Sequence, residues 1–143
     1  MRYALILFAM LLVPSAACDG LHDDPPIDAT IRVGESVALA VGETAVVEEA
    51  DIRITFESVL SDNRCPTDAL CVVAGDAKVR LRASGRGMSP VGADVALFEH
   101  TSLAYGGVEF QLERLDPWPE SIGQVIPTYR YRATIGTRAV VRR

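Results

Sequence analysis

The chain has 143 residues, with 14 basic and 19 acidic side chains, a net charge of −5, three cysteines and one tryptophan. That length fits one domain and excludes both a two-domain dinucleotide-binding enzyme and a (β/α)₈ barrel, which needs about 250 residues. The acidic balance argues against a dedicated nucleic-acid binder, which carries a basic surplus.

Arg2 opens the chain with a positive charge, Tyr3 to Val13 follow as an unbroken apolar run, and Ser15, Ala16 and Ala17 lead into Cys18. The run is too short to span a ~30 Å hydrocarbon core, which takes about 20 residues. A charged start, a short apolar middle and a small-residue exit make residues 1–17 a secretory signal peptide. Its removal takes most of the chain's hydropathic excess with it.

Ser15-Ala16-Ala17-Cys18 resembles a bacterial lipobox, in which the cysteine becomes the first mature residue and carries lipid. Ser15 holds a place usually taken by an aliphatic residue. Ala17 also suits ordinary signal peptidase, which would release a soluble secreted chain. Cysteine parity favours lipidation of Cys18, since Cys65 and Cys71 can pair and leave it over. The expected location is the bacterial cell envelope, membrane-anchored and periplasmic or at the cell surface. Residues 19–28 are rich in Asp, Pro and Gly without an apolar period and read as a flexible tether behind the lipidated cysteine. His22 belongs to it as a solvated residue.

Residues 29–143 then form one domain. Val37, Leu39 and Val41 share a parity, as do Ile52, Ile54 and Phe56. Period two with one apolar face is the pattern of half-buried antiparallel strands.

A cysteine loop follows, from Ser61 to Ala77. Two cysteines this close in an exported chain read first as a disulfide closing a tight loop. A thiolate metal site lacks ligands, because His100 is the sole histidine of the folded part and four are wanted. Asp62, Asn63, Asp68 and Asp76 offer oxygens, and Ca²⁺ takes six to eight. Their spacing is not that of an EF-hand, and turn duty explains Asp62 and Asn63 through bonds to nearby amides. Arg64 reads as a clamp on carbonyls or carboxylates. The segment 67–74 admits a short helical turn ended by Gly75.

Alternation resumes at Ala77, Val79, Leu81 and Ala83, with Arg80 and Arg82 outward. Gly85 to Pro90 read as a flexible loop. His100 lies beside Glu99, Thr101 and Ser102, but a hydrolase needs nucleophile, base and oxyanion hole converging in a cleft, and no Gly-x-Ser-x-Gly elbow exists. Val108, Phe110 and Leu112 alternate with Glu109 and Glu113, which are placed to pair across strands with Arg80 and Arg82. Trp118 stands between Pro117 and Pro119. It reads as a cover for the edge or end of the sheets, guarded by the prolines, with an exposed aromatic platform as the alternative. Tyr129, Tyr131, Ala133 and Ile135 face inward with Arg130 and Arg132 outward, a solvated strand and not a nucleic-acid face.

Seven to nine short strands at this spacing predict an all-β, antiparallel β-sandwich, immunoglobulin-like or related.

Asp62-Asn63-Arg64-Cys65-Pro66, four residues later Cys71, then Val73-Ala74-Gly75-Asp76-Ala77, with Leu115-Asp116-Pro117-Trp118-Pro119 before the last strand, resemble an uncharacterised family of small bacterial lipoproteins. Serine is usual there at Asn63 and tryptophan at Val73. The resemblance spans about residues 36–136. It implies an exported β-domain with an internal disulfide and carries no activity.

The function that follows is a membrane-anchored, non-catalytic binding or structural module, monomeric and without metal or cofactor. Trp118, Asp62 and Arg64 are its candidate binding surface, for an envelope protein or glycan. The alternative is a small envelope enzyme or enzyme inhibitor with a site built from loops. A shallow apolar patch near Trp118 or the cysteine loop would favour the first, and a concave pocket of convergent polar groups around His100 or an acid pair the second.

Overall fold

A computed structural model describes residues 27–140. Residues 1–26, which hold the expected signal peptide, Cys18 and most of the expected tether, lie outside the described residues. Nine strands form two sheets: β1 (Ala29–Ile31), β2 (Ser36–Ala40), β3 (Thr44–Val47), β4 (Ile52–Asp62), β5 (Ala77–Gly85), β6 (Met88–Ala96), β7 (Ser102–Tyr105), β8 (Val108–Asp116) and β9 (Arg132–Ala139). One sheet has the order β1-β3-β4-β5-β6 and the other β2-β9-β8-β7. All neighbours are antiparallel except β1 and β3. Those two run parallel because the chain crosses to the other sheet as β2 and returns between them.

The alternating residues form the core. Ile52, Ile54 and Phe56 of β4 and Ala77, Val79, Leu81 and Ala83 of β5 are fully buried, facing Phe110, Leu112, Ala133 and Ile135 of the second sheet. Each such large side chain contributes roughly 1.5–3 kcal/mol by leaving water.

Several sequence expectations are corrected. Gly85 to Pro90 are not a flexible loop: Arg86 and Gly87, both at positive φ, form a two-residue turn, and Met88 to Pro90 continue as strand. Positive φ at both central residues is what a hairpin turn of the I′ type requires. The 67–74 segment makes no helix; Ala69 N–H donates to Pro66 O in a single turn at Thr67-Asp68. Tyr129 is exposed in a 3-10 turn ahead of β9, so of the two tyrosines only Tyr131 faces inward. Arg80 and Arg82 do not meet Glu109 and Glu113, because β5 and β8 belong to different sheets. Arg80 pairs with Asp94 on β6, Arg82 with Glu57 on β4, and Glu109 with Arg138 on β9, while Glu113 accepts from the Ser36 hydroxyl.

The topology gives the sandwich two unlike ends. The turns 32–35, 48–51, 86–87 and 106–107 and the end of β9 lie at one. The connections 41–43, 63–76, 97–101 and 117–131 lie at the other, which is called the loop end below.

Candidate functional site

The loop end is organised around Arg64. Asp62 closes β4, and two residues later an extended chain returns its side chain to the same side. The Arg64 guanidinium therefore meets the Asp62 carboxylate as a fork, Nε to Oδ1 at 2.7 Å and Nη2 to Oδ2 at 2.6 Å. Nη1 donates to Leu115 O and Nη2 also to Pro117 O, the latter at 2.9 Å, tying the cysteine loop to the end of β8. The Tyr131 hydroxyl donates to Asp62 Oδ2 at 3.1 Å. The indole of Trp118 covers the guanidinium, 4.6 Å from ring centroid to Cζ, and its Nε1–H donates to Cys65 O at 2.8 Å.

Arg64 is only 3% exposed. As an exposed binding-surface residue it is corrected: its guanidinium is buried and engaged by the Asp62 carboxylate, two carbonyls and the indole. It is the clamp that the residue type suggested. Trp118, at 39% exposed, covers this end of the sandwich and still presents part of its ring to solvent, tilted against Phe98 with centroids 6.3 Å apart. Asp62 acts chiefly through Arg64 and Tyr131, with only a long 3.4 Å contact to the Arg64 amide. Burial opposes its ionisation, but the Arg64 hydrogen bonds and charge, with the Tyr131 bond, outweigh that and hold its carboxyl below the usual range. Burial, and then the Asp62 charge and hydrogen bond, push the Tyr131 phenol up to about 12.

Cys65 and Cys71 are joined in a disulfide with Cα atoms 5.9 Å apart. The loop is fixed further by Thr67 N–H to Pro119 O at 3.1 Å, Asp68 N–H to Glu120 O at 3.2 Å and Cys65 N–H to Ala74 O at 2.9 Å. Gly75 closes it at φ 68, where a Cβ would lie 1.7 Å from Asn63 O. Asp76 accepts from the Phe98 and Glu99 amides at 3.0 and 3.1 Å, fastening the 97–101 turn.

Two clefts flank the cysteine loop. One, of about 480 Å³, lies between the disulfide and the 119–126 segment, with Asp62, Tyr131, Ile122 and Gln124 on its walls. The other, of about 520 Å³, has Asn63, Val73, Asp76, Lys78 and Phe98 around it. His100 lines neither and is exposed at φ 53 on the turn before β7. Its neighbours are engaged: the Thr101 hydroxyl accepts from Ala96 N–H at 2.6 Å and the Ser102 hydroxyl donates to Glu109. The acids of the cysteine loop do not converge, and among the described residues no group of three or more His, Cys, Asp or Glu side chains could hold a metal ion.

The outermost residues of this end are aliphatic. Leu70 and Val72, on either side of Cys71, are fully exposed, and Val73, Ile122 and Val125 nearly so. Sequence reading missed Ile122 and Val125, which follow no period, and it missed Tyr131 as the partner of Asp62, 69 residues away. The apolar run Leu70, Val72, Val73 in a turn-rich loop was the one available signal. Comparison of the chain with family models, curated proteins and solved structures finds no match.

Proposed function

We propose that the protein is an exported, lipid-anchored, non-catalytic β-sandwich module that meets a component of the cell envelope through its loop end. The observation that carries the contact surface is the exposure of five aliphatic side chains, Leu70, Val72, Val73, Ile122 and Val125, on two loops tied to each other. Clustered apolar exposure marks interaction sites, whereas single exposed residues do not. Export and anchoring rest on the signal pattern of residues 1–17 and on Cys18.

The non-catalytic reading draws on what the polar groups beside the clefts already do. Asp62 is bound to Arg64 and Tyr131, Asp76 holds two backbone amides, and Lys78 pairs with Glu99 at 3.2 Å. Asp62 and Asp76 are thereby engaged in holding the loops, and Lys78 lies in an exposed ion pair.

The anchor is tested by the intact mass of the mature chain from its native envelope. The expected product begins at a Cys18 carrying lipid, and an unmodified N-terminus removes the anchor. The contact surface is tested by Leu70→Asp/Ile122→Asp. This exposed double variant is expected to keep its fold and lose envelope association beyond that due to lipid. Undiminished association would refute the surface.

A further inference from the structure

We propose that the loop end rests on the bilayer that holds the Cys18 lipid, with its aliphatic tips inserted at the headgroup level. This inference builds on the anchor reading above and names the occupant of the contact surface as a lipid surface.

Three observations converge. First, apolar exposure is polarised along the sandwich. Leu70, Val72, Ile122, Val125 and Tyr129 stand at the loop end at 78% exposure or more, while the opposite end, among the described residues, shows only the less exposed Met88 and Val140, at 42% and 40%, beside turns that carry Arg32, Glu48, Asp51 and the Gly106-Gly107 pair. Second, the chain enters the domain heading away from the loop end. β1 runs parallel to β3, β3 runs antiparallel to β4, and β4 ends at Asp62 in the loop end. Asp28 N–H donates to Thr44 O at 2.8 Å, so the first described residues lie on this sheet with their N-terminal end toward the loop end.

The lengths agree with this direction. From the level of Phe56 to Asp62 is roughly 20 Å of strand at about 3.3 Å per residue. The ten residues from Cys18 to Ile27 reach at most about 35 Å. A lipid at Cys18 is therefore within reach of the loop end, and the tether is long enough for the tips to touch the membrane.

Third, the tips have the chemistry of a lipid contact. Leu70, Val72, Val73, Ile122 and Val125 are aliphatic and exposed, with Ile122 and Val73 at the rims of the two clefts. Protein hot spots favour Trp, Tyr and Arg seated in pockets, with Leu and Val under-represented. A fluid apolar phase needs no complementary pocket. The disulfide and the bonds from Thr67 and Asp68 to Pro119 and Glu120 hold the tips in place beforehand, so insertion orders little more chain. Asp68 and Glu120 flank the tips, and the whole chain is acidic. Anionic lipid is therefore expected to weaken the contact, most at low salt.

The test uses the lipidated chain in phosphatidylcholine vesicles with brominated acyl chains. Trp118 is the only tryptophan, so Val72→Trp in a Trp118→Phe background moves the fluorescent reporter to the tip. Brominated lipid is expected to quench the Val72→Trp emission, and Leu70→Asp/Ile122→Asp in the same protein to restore it. Unquenched emission from a folded, lipidated chain would overturn the bilayer contact and leave the anchor standing. If the emission shifts only when envelope proteins are added, the occupant is a protein and the proposal falls. The intact mass of the same sample separates these results from failure of the anchor: a chain without lipid on Cys18 removes both readings.

Discussion

Arg64 joins two parts of the loop end that are far apart in the chain: the end of β4 at Asp62 beside it, and the Leu115 and Pro117 carbonyls about fifty residues on. Breaking a buried pair by removing one partner leaves the other charge uncompensated. Arg64→Met is accordingly expected to lose about 3 kcal/mol of stability in urea unfolding, with part recovered in Asp62→Asn/Arg64→Met, where no orphaned charge remains. Arg64→Lys restores charge without the planar fork and is expected to fall between wild type and Arg64→Met. The same residues set a pH dependence. The native Asp62 carboxyl lies below its ordinary 3.8, so its contribution is full above that pH and is lost as pH falls through the lower native value. Tyr131 is raised from 10.0 to about 12. Its contribution is full below pH 10 and is lost as pH rises through about 12. Tyr131→Phe is expected to cost ~1 kcal/mol at neutral pH and to flatten the alkaline fall in stability between those two values; an unchanged alkaline limb would remove Tyr131 as its cause.

At the scale of elements, the cysteine loop is a short ring set between β4 and β5, which pair along their whole length from Ile52–Gly85 to Asp62–Ala77. Its closure contributes less than the ~3 kcal/mol of a 15-residue loop. Cys65→Ser/Cys71→Ser is therefore expected to keep the hydrogen-exchange protection of β4 and β5 and to lose that of residues 63–76. Gly75→Ala should cost more than its size suggests, about 2 kcal/mol in thermal unfolding, because positive φ and the close Asn63 carbonyl both resist a side chain. The strands with one buried face were legible because alternation reports burial directly: Ile52, Ile54 and Phe56, or Ala77 to Ala83, could be read from parity alone. β6 was not, since as an exposed edge strand with Pro90 and Gly92 it has no apolar face over most of its length. β1, β3 and β7 are only three or four residues long, too short to show a period. The charge pairs failed for a different reason: outward parity names the residues that face solvent, but not which strands are neighbours.

For the molecule as a whole, the two-sheet architecture was legible from strand count and spacing, and the disulfide from the proximity of Cys65 and Cys71. The composition of the loop end was only half legible. Leu70, Val72 and Val73 were readable as apolar residues in a turn but were not singled out, and the nearness of the segment with Ile122 and Val125 depends on the Arg64, Trp118, Thr67 and Asp68 contacts that draw the 117–131 connection against the cysteine loop. The resulting polarity, with aliphatic tips at one end and charged turns at the other, is the basis of the proposed contact surface. The most direct test places a photo-crosslinking residue at Val72 or at Glu48, an exposed position at the opposite end, in the protein within its intact envelope. Adducts from Val72, with few or none from Glu48, are the predicted result. Equal adducts from both positions, or adducts from Glu48 alone, would contradict it.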